Sequence, residues 1–422
     1  MRFDQPFLLG ASSAAHQVEG NNVHSDYWAM EHMENSTFKE PSLDAVDHYN
    51  RYKEDIDLMA EAGLNAYRFS IEWARIEPEK GRFDHKETAH YKDVLEYCHE
   101  KNIVPIVTMH HFTSPKWLIE EYGWEDRRTI DFFVRYVKYV IEHLGGLIPY
   151  VCTINEANMG LQIASLMKDM MKNKTSDVQV GLNDDPKSMM EKMELVKEEN
   201  KSVFGTGDPQ TFIGIRTNEG DKMIMDAHVE AKKAIHEINP DIKVGLTLSL
   251  HDFQPIKGGE EYARQEWAKE FTHYVPAIKG DDFLGVQNYT RKRVSKEGSI
   301  KLSDDAKRTQ MGYEYYPQSL ENVLRKVHED LKIPLIVTEN GLATDKDEDR
   351  VAFIETVMNG VKSCLEDGIP VKGYLHWTLL DNFEWQTGFS KTFGLIAVNR
   401  KTQTRHPKRS LSFLGSFAPK KH

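Results

Sequence analysis

Two glutamates, Glu156 and Glu339, stand at the ends of short apolar runs in separate parts of the chain. Carboxyl groups brought together across a cleft suit cleavage of a glycosidic bond. One gives a proton to the leaving oxygen, and the other attacks the carbon or activates a water. Other polar or aromatic residues end similar runs: Gln17 and Glu19, Arg68, His110 and His111, Asn155, Gln287 with Asn288 and Tyr289, Asn340, and Trp377. An arginine and a tyrosine beside one glutamate would keep it ionised by opposite charge and hydrogen bonding. Trp377 and Trp385 offer flat apolar faces to the C–H surface of a sugar, and the amide, imidazole and carboxylate groups suit its hydroxyls. Taken singly, a strand-end glutamate is more often a salt-bridged surface group, and a tryptophan more often core. His110 and His111 do not read as a metal pair, because adjacent strand residues point to opposite faces. The weight rests on the whole constellation.

The runs that must position these groups are 7–10, 64–69, 103–109, 150–155, 243–249, 282–289, 334–339 and 371–377. Several are apolar on consecutive residues, as in Ile103-Val-Pro-Ile-Val, which suits strands buried on both faces of a parallel sheet. Amphipathic stretches alternate with them at 47–62, 86–101, 128–144, 221–238, 317–331 and 347–367. In the first, Tyr49, Tyr52, Ile56, Met59 and Ala60 fall at helical spacing, and Gly63 follows as a C-cap. Eight strands alternating with helices predict an α/β fold, the (β/α)8 TIM barrel, with its active site at the strand C-termini. A doubly wound open sheet shares this alternation. A Gly-rich phosphate loop after an early strand would mark it, and the chain has none.

The rhythm breaks once, at about 157–220. This stretch is polar and turn-rich, and nine of the chain's 16 methionines fall between Met159 and Met225. It reads either as an ordinary helical insertion or as a loop over the barrel mouth. With no repeat or linker in view, residues 1–422 are expected to form one catalytic domain carrying that insertion.

The 422 residues are 40% hydrophobic, enough for a large core. The net charge of −12 speaks against nucleic acid as a partner. No apolar run approaches the length that spans a bilayer. Three scattered cysteines, Cys98, Cys152 and Cys364, lack metal-ligand spacing and fit a reducing compartment. The first residues lack the apolar stretch of a signal peptide, so a cytoplasmic location is expected.

At this point the motifs resemble glycoside hydrolase family 1, the β-glucosidase family, over essentially the whole chain. Phe7-Leu-Leu-Gly-Ala-Ser-Ser-Ala-Ala-His-Gln-Val-Glu-Gly is similar to its N-terminal signature, and Arg68-Phe-Ser-Ile-Glu-Trp-Ala-Arg-Ile to its second-strand motif. Thr153-Ile-Asn-Glu-Ala resembles the family's acid/base motif, Val337-Thr-Glu-Asn-Gly its nucleophile motif, and Trp377-Thr-Leu-Leu-Asp-Asn-Phe-Glu-Trp its C-terminal sugar-binding segment. Three positions depart from the family pattern. Ala157 replaces a proline, His111-Phe112-Thr113 stands for His-Trp-Asp, and Gln287-Asn288-Tyr289 stands for Asn-x-Tyr.

The resemblance implies that Glu339 is the nucleophile and Glu156 the acid/base. It implies that Arg68 and Tyr289 hold Glu339, and that Asn155 binds the 2-hydroxyl. Gln17, His111, Glu384 and Trp385 would take the remaining hydroxyls, with Gln287 beside them, Trp377 as stacking platform and Phe393 on the pocket wall. No metal or organic cofactor is implied. The expected activity is that of a retaining, exo-acting β-glucosidase on cello-oligosaccharides or aryl and alkyl β-glucosides. A β-galactosidase or β-fucosidase of broad specificity, a transglycosidase and a non-catalytic sugar-binding protein are the alternatives. A 6-phospho-β-glycosidase is disfavoured, because Glu384 would repel a phosphate. The partner is thus a small sugar, and a homo-oligomer is compatible with the sequence.

Overall fold

The computed structural model describes residues 2–4, 6–165 and 186–419. Eight parallel strands close into a barrel: β1 (Leu8–Ser12), β2 (Ala66–Ser70), β3 (Val104–His110), β4 (Tyr150–Ile154), β5 (Lys243–Ser249), β6 (Phe283–Gln287), β7 (Leu335–Asn340) and β8 (Val371–Trp377). Each pairs with the next in sequence, and β8 returns to β1, where Ser12 lies opposite both Trp377 and Arg68. The strand interiors are buried almost throughout, as consecutive apolar residues require.

Helices follow the strands: α1 (His48–Glu61), α2 (His85–Glu100), α3 (Arg128–Leu144), α4 (Asn218–Ile238), α5 (Glu260–Trp267), α6 (Ser319–Asp330), α7 (Asp347–Glu366) and α8 (Arg409–Gly415). In α3, Ile130, Phe133, Val137, Val140, Ile141 and Leu144 form the buried face at three- and four-residue spacing. Asp84 caps α2 by accepting from the N–H groups of Lys86 and Glu87. Beyond α1, Gly63 takes φ +90°, the left-handed turn that ends the helix and aims the chain into β2.

Most boundaries lie within one or two residues of the sequence reading, and two of the shifts have a clear local cause. The sixth strand stops at Gln287, because the Asn288 side chain donates to the Leu250 and Thr290 carbonyls and turns the chain there. Helix α4 begins at Asn218, since Thr217 caps it by accepting from Gly220 N–H. Gly220 is no breaker: a Cβ there would meet the Glu125 carboxylate at 2.2 Å. The interval between β4 and α4 contains a helix at Pro186–Phe204. Residues 166–185 of the predicted insertion lie outside the described residues. Among the described residues, no helix is long and apolar enough to cross a membrane.

Candidate active site

The strand C-termini gather the polar ring. Glu339 lies on β7 and each of its oxygens holds one donor. Arg68 Nη1 donates to Oε1 at 2.7 Å, and the Tyr289 hydroxyl to Oε2 at 2.7 Å. Arg68 is wholly buried in β2, so its charge is compensated inside the barrel or not at all. Its Nη2 donates to Asn155 Oδ1 at 2.5 Å. Gln287 Nε2, at 2.8 Å, and Thr247 Oγ1, at 3.3 Å, converge on the same oxygen. This crowd of donors fixes the Asn155 amide and leaves Nδ2 buried without a protein partner, as is Gln287 Oε1.

Glu156 follows β4 with φ +44°, a left-handed conformation that a side chain adopts only under constraint. Thr247 supplies that constraint, its hydroxyl accepting from Glu156 N–H at 2.9 Å and its carbonyl from Ala157 N–H at 3.1 Å. The Ser249 hydroxyl opposes the upward push of burial on the Glu156 carboxyl.

Burial raises both carboxyls. The negative charge of Glu339 lifts Glu156 further, well above the ordinary carboxylate range. At Glu339, the Arg68 guanidinium and the Tyr289 hydroxyl oppose the effect of burial. Glu339 therefore ionises first, and Glu156 keeps its proton while its neighbour is charged. His111 Nε2 lies 3.9 Å from Glu339 Oε1. Burial and the nearby Arg68 push His111 far below its usual range, so it is a neutral imidazole.

Aromatic faces line the other side. The His111 ring stacks on Trp377 at 5.8 Å and on Trp385 at 6.1 Å between centroids. Trp377 packs with Ala14, Ala343 and Phe393, and Phe393 meets Tyr289 edge-on at 6.1 Å. Gln17 Nε2 donates to the Phe383 carbonyl at 2.7 Å and to Glu384 Oε2 at 3.3 Å, while its Oε1 is buried without a partner. Burial and the charge of Glu339 push the Glu384 carboxyl up to about 8. The ring thus presents unpaired buried amide atoms, the Glu339 carboxylate, the raised carboxyls of Glu156 and Glu384, and flat apolar faces. That set can bind a sugar and exchange a proton with its glycosidic oxygen.

Some strand-end residues serve the frame instead. Glu19 is held by Arg75 Nε at 2.8 Å and by the Tyr91 hydroxyl at 3.0 Å. His110 packs against the Trp124 and Phe212 rings and bonds Ser114 Oγ at 3.0 Å. Asn340 braces the Asn288 carbonyl at 2.7 Å. β5 contributes to the site as well: Thr247 holds the backbone of Glu156, and Ser249 opposes the upward push of burial on its carboxyl. Their signal was two hydroxyls alternating with Leu246, Leu248 and Leu250 in an otherwise apolar run.

Comparison with known proteins identifies the family. The profile described as Glycosyl hydrolase family 1 matches residues 1–180 and 270–422. Beta-glucosidase A of Thermotoga maritima is 28% identical, over 97% of this chain and 96% of its own length. A 1,4-beta-D-glucan glucohydrolase of Thermotoga neapolitana is 29% identical over 97% and 96%. Among solved structures, a beta-glycosidase superposes with TM-score 0.90 at 44% identity, covering 100% of this chain and 99% of the other. The family 1 beta-glucosidase of Thermotoga maritima superposes with TM-score 0.80 at 26% identity, covering 98% of each. With a closed barrel, a paired-carboxyl site at its mouth and a profile match over most of its length, this chain belongs to glycosyl hydrolase family 1.

Proposed function

We propose that this glycosidase is a retaining, exo-acting β-glucosidase that removes terminal β-glucosyl units from cello-oligosaccharides or aryl and alkyl β-glucosides. The observation that carries the reading is the asymmetric pair: Glu339 is clamped by hydrogen bonds from Arg68 and Tyr289, while Glu156 takes a hydrogen bond from neither. In the first step the Glu339 carboxylate attacks the anomeric carbon. The glycosidic C–O bond breaks, and its oxygen leaves with the Glu156 proton. The glycosyl ester has lost the charge of Glu339, so Glu156, now ionised, takes a proton from water. That water attacks the same carbon, and the ester bond breaks to restore the Glu339 carboxylate. Two inversions give net retention.

Asn155 Nδ2 is the free donor beside Glu339 and binds the 2-hydroxyl, a contact that tightens as the transition state forms. Gln17, Gln287, His111, Glu384 and Trp385 hold the other hydroxyls. Trp377 and Phe393 form the apolar wall. A pocket walled in this way takes one terminal sugar, so long polymers are poor substrates.

Described residues of the interval after β4 reach the surroundings of His111. Glu199, in its helix, accepts from Asn35 N–H at 2.9 Å, and Phe212 stacks on Phe112 at 6.1 Å, next to His111. It is proposed to shape the leaving-group side of a single catalytic domain. Three buried free thiols, Cys98, Cys152 and Cys364, suit a cytoplasmic enzyme.

Initial rates on matched nitrophenyl β-glucoside, β-galactoside, β-fucoside and 6-phospho-β-glucoside, with Glu339→Gln as control, test the proposal. Fast glucoside turnover abolished in the variant supports it. A faster galactoside or fucoside would move the glycone preference. Activity confined to the phosphorylated sugar would overturn the reading of Glu384.

A further inference from the structure

Trp385 begins a short 3-10 turn with φ +49°, in the left-handed region that a tryptophan adopts only when its surroundings hold it. Its indole is boxed by rings. His16 lies parallel to it, 4° between planes at 6.0 Å, Tyr27 meets it edge-on at 5.3 Å and Phe112 packs at 5.3 Å. His16 is the one of these whose own orientation is fixed at both ring nitrogens. Nε2 lies 2.5 Å from Glu31 Oε1, and Nδ1 lies 3.0 Å from Asn22 Nδ2. The second Glu31 oxygen accepts from the Ser42 N–H at 2.9 Å and from its hydroxyl at 2.6 Å. Both side chains of the pair are buried. The imidazole therefore cannot rotate without breaking a charge-assisted bond in the buried interior, where a lost partner is costly.

We infer that the His16–Glu31 pair is a positioning device for Trp385, setting the plane of the indole and through it the affinity of the glycone pocket. The inference rests on the proposed reading of Trp385 as a sugar-contacting residue. His16 and Glu31 act through the indole and touch no reacting atom.

The test separates the pair's two parts. His16→Gln keeps an N–H for Glu31 but removes the flat ring; Glu31→Gln keeps the ring but removes the charge that orients it. Each raises KM for nitrophenyl β-glucoside about tenfold and changes kcat by less than about threefold, as loss of one aromatic contact to bound sugar predicts. In a Trp385→Ala background, His16→Gln changes KM by less than about twofold, because the element it positions is gone. His16→Tyr, which restores a flat ring with a hydroxyl, keeps KM within about threefold of wild type and guards against misreading a misfolded Gln variant.

An equal tenfold effect in both backgrounds would overturn the inference, as would a fall in kcat at constant KM or a Tyr variant as impaired as Gln. Calorimetric binding of deoxynojirimycin gives a readout that does not need turnover, and it weakens about tenfold in His16→Gln. An unchanged Kd would overturn the positioning role, whereas a wild-type protein that hydrolyses no glycoside would overturn only the proposed function.

Discussion

Arg68 joins the two halves of the site: one guanidinium nitrogen lies 2.7 Å from Glu339 Oε1 and the other 2.5 Å from Asn155 Oδ1. A single buried cation thereby sets both the ionisation of one carboxyl and the orientation of the amide next to the other. Arg68→Met is expected to lower kcat/KM by about a thousandfold or more. The sign of the pH effect follows from the charge. Arg68 opposes the upward push of burial on Glu339, so its loss raises that group further. The acid limb of the kcat/KM profile should move to higher pH.

Tyr289→Phe removes the other donor to Glu339 and leaves the cation in place. A loss of about tenfold to a hundredfold in kcat/KM is expected, smaller than for Arg68→Met. Steady-state kinetics of the two variants, side by side, check the order.

Glu156→Ala is expected to abolish the alkaline limb of the pH profile, because the group raised by burial and by Glu339 is gone. Substrates with good leaving groups should still form the intermediate but release it slowly. Added azide, which needs no general base, should restore turnover and yield a β-glycosyl azide. Product analysis by NMR reads both rate and stereochemistry.

Glu384 offers a stability test. Its folded-state pKa of about 8 lies above the ordinary carboxylate value, so the folded protein binds a proton there that the unfolded chain has lost. Stability therefore falls as pH rises through that window. Glu384→Gln removes the penalty. The variant should melt about 2 °C or more above wild type near pH 8 and gain nothing near pH 4. Calorimetric melting at the two pH values decides it, and a gain at pH 4 would contradict the linkage.

The barrel was legible because its strands are buried on both faces and so read as runs of consecutive apolar residues, of which Ile103–Val107 is the clearest. The strand ends were legible because Arg68, Asn155 and Glu339 have no place in such runs unless they face one another. Two things were less open to a linear reading. Glu19 and Glu339 are both glutamates near strand ends, but only the contact of Glu19 with Arg75 and Tyr91 assigns it to the frame. Thr247 carries no chemistry of its own, and its importance lies in two bonds to the backbone of Glu156 and Ala157, which sequence distance conceals. The start of α4 was hidden for a related reason: Gly220 answers to the carboxylate of Glu125, a partner from another loop.

The most direct test of double displacement is to trap the intermediate. Incubation with 2,4-dinitrophenyl 2-deoxy-2-fluoro-β-glucoside should inactivate the enzyme with release of one equivalent of dinitrophenol. Intact mass should rise by one fluoroglucosyl unit, and peptide mapping should place it on Glu339. Inactivation with the label elsewhere, or steady turnover with no adduct, would contradict the account.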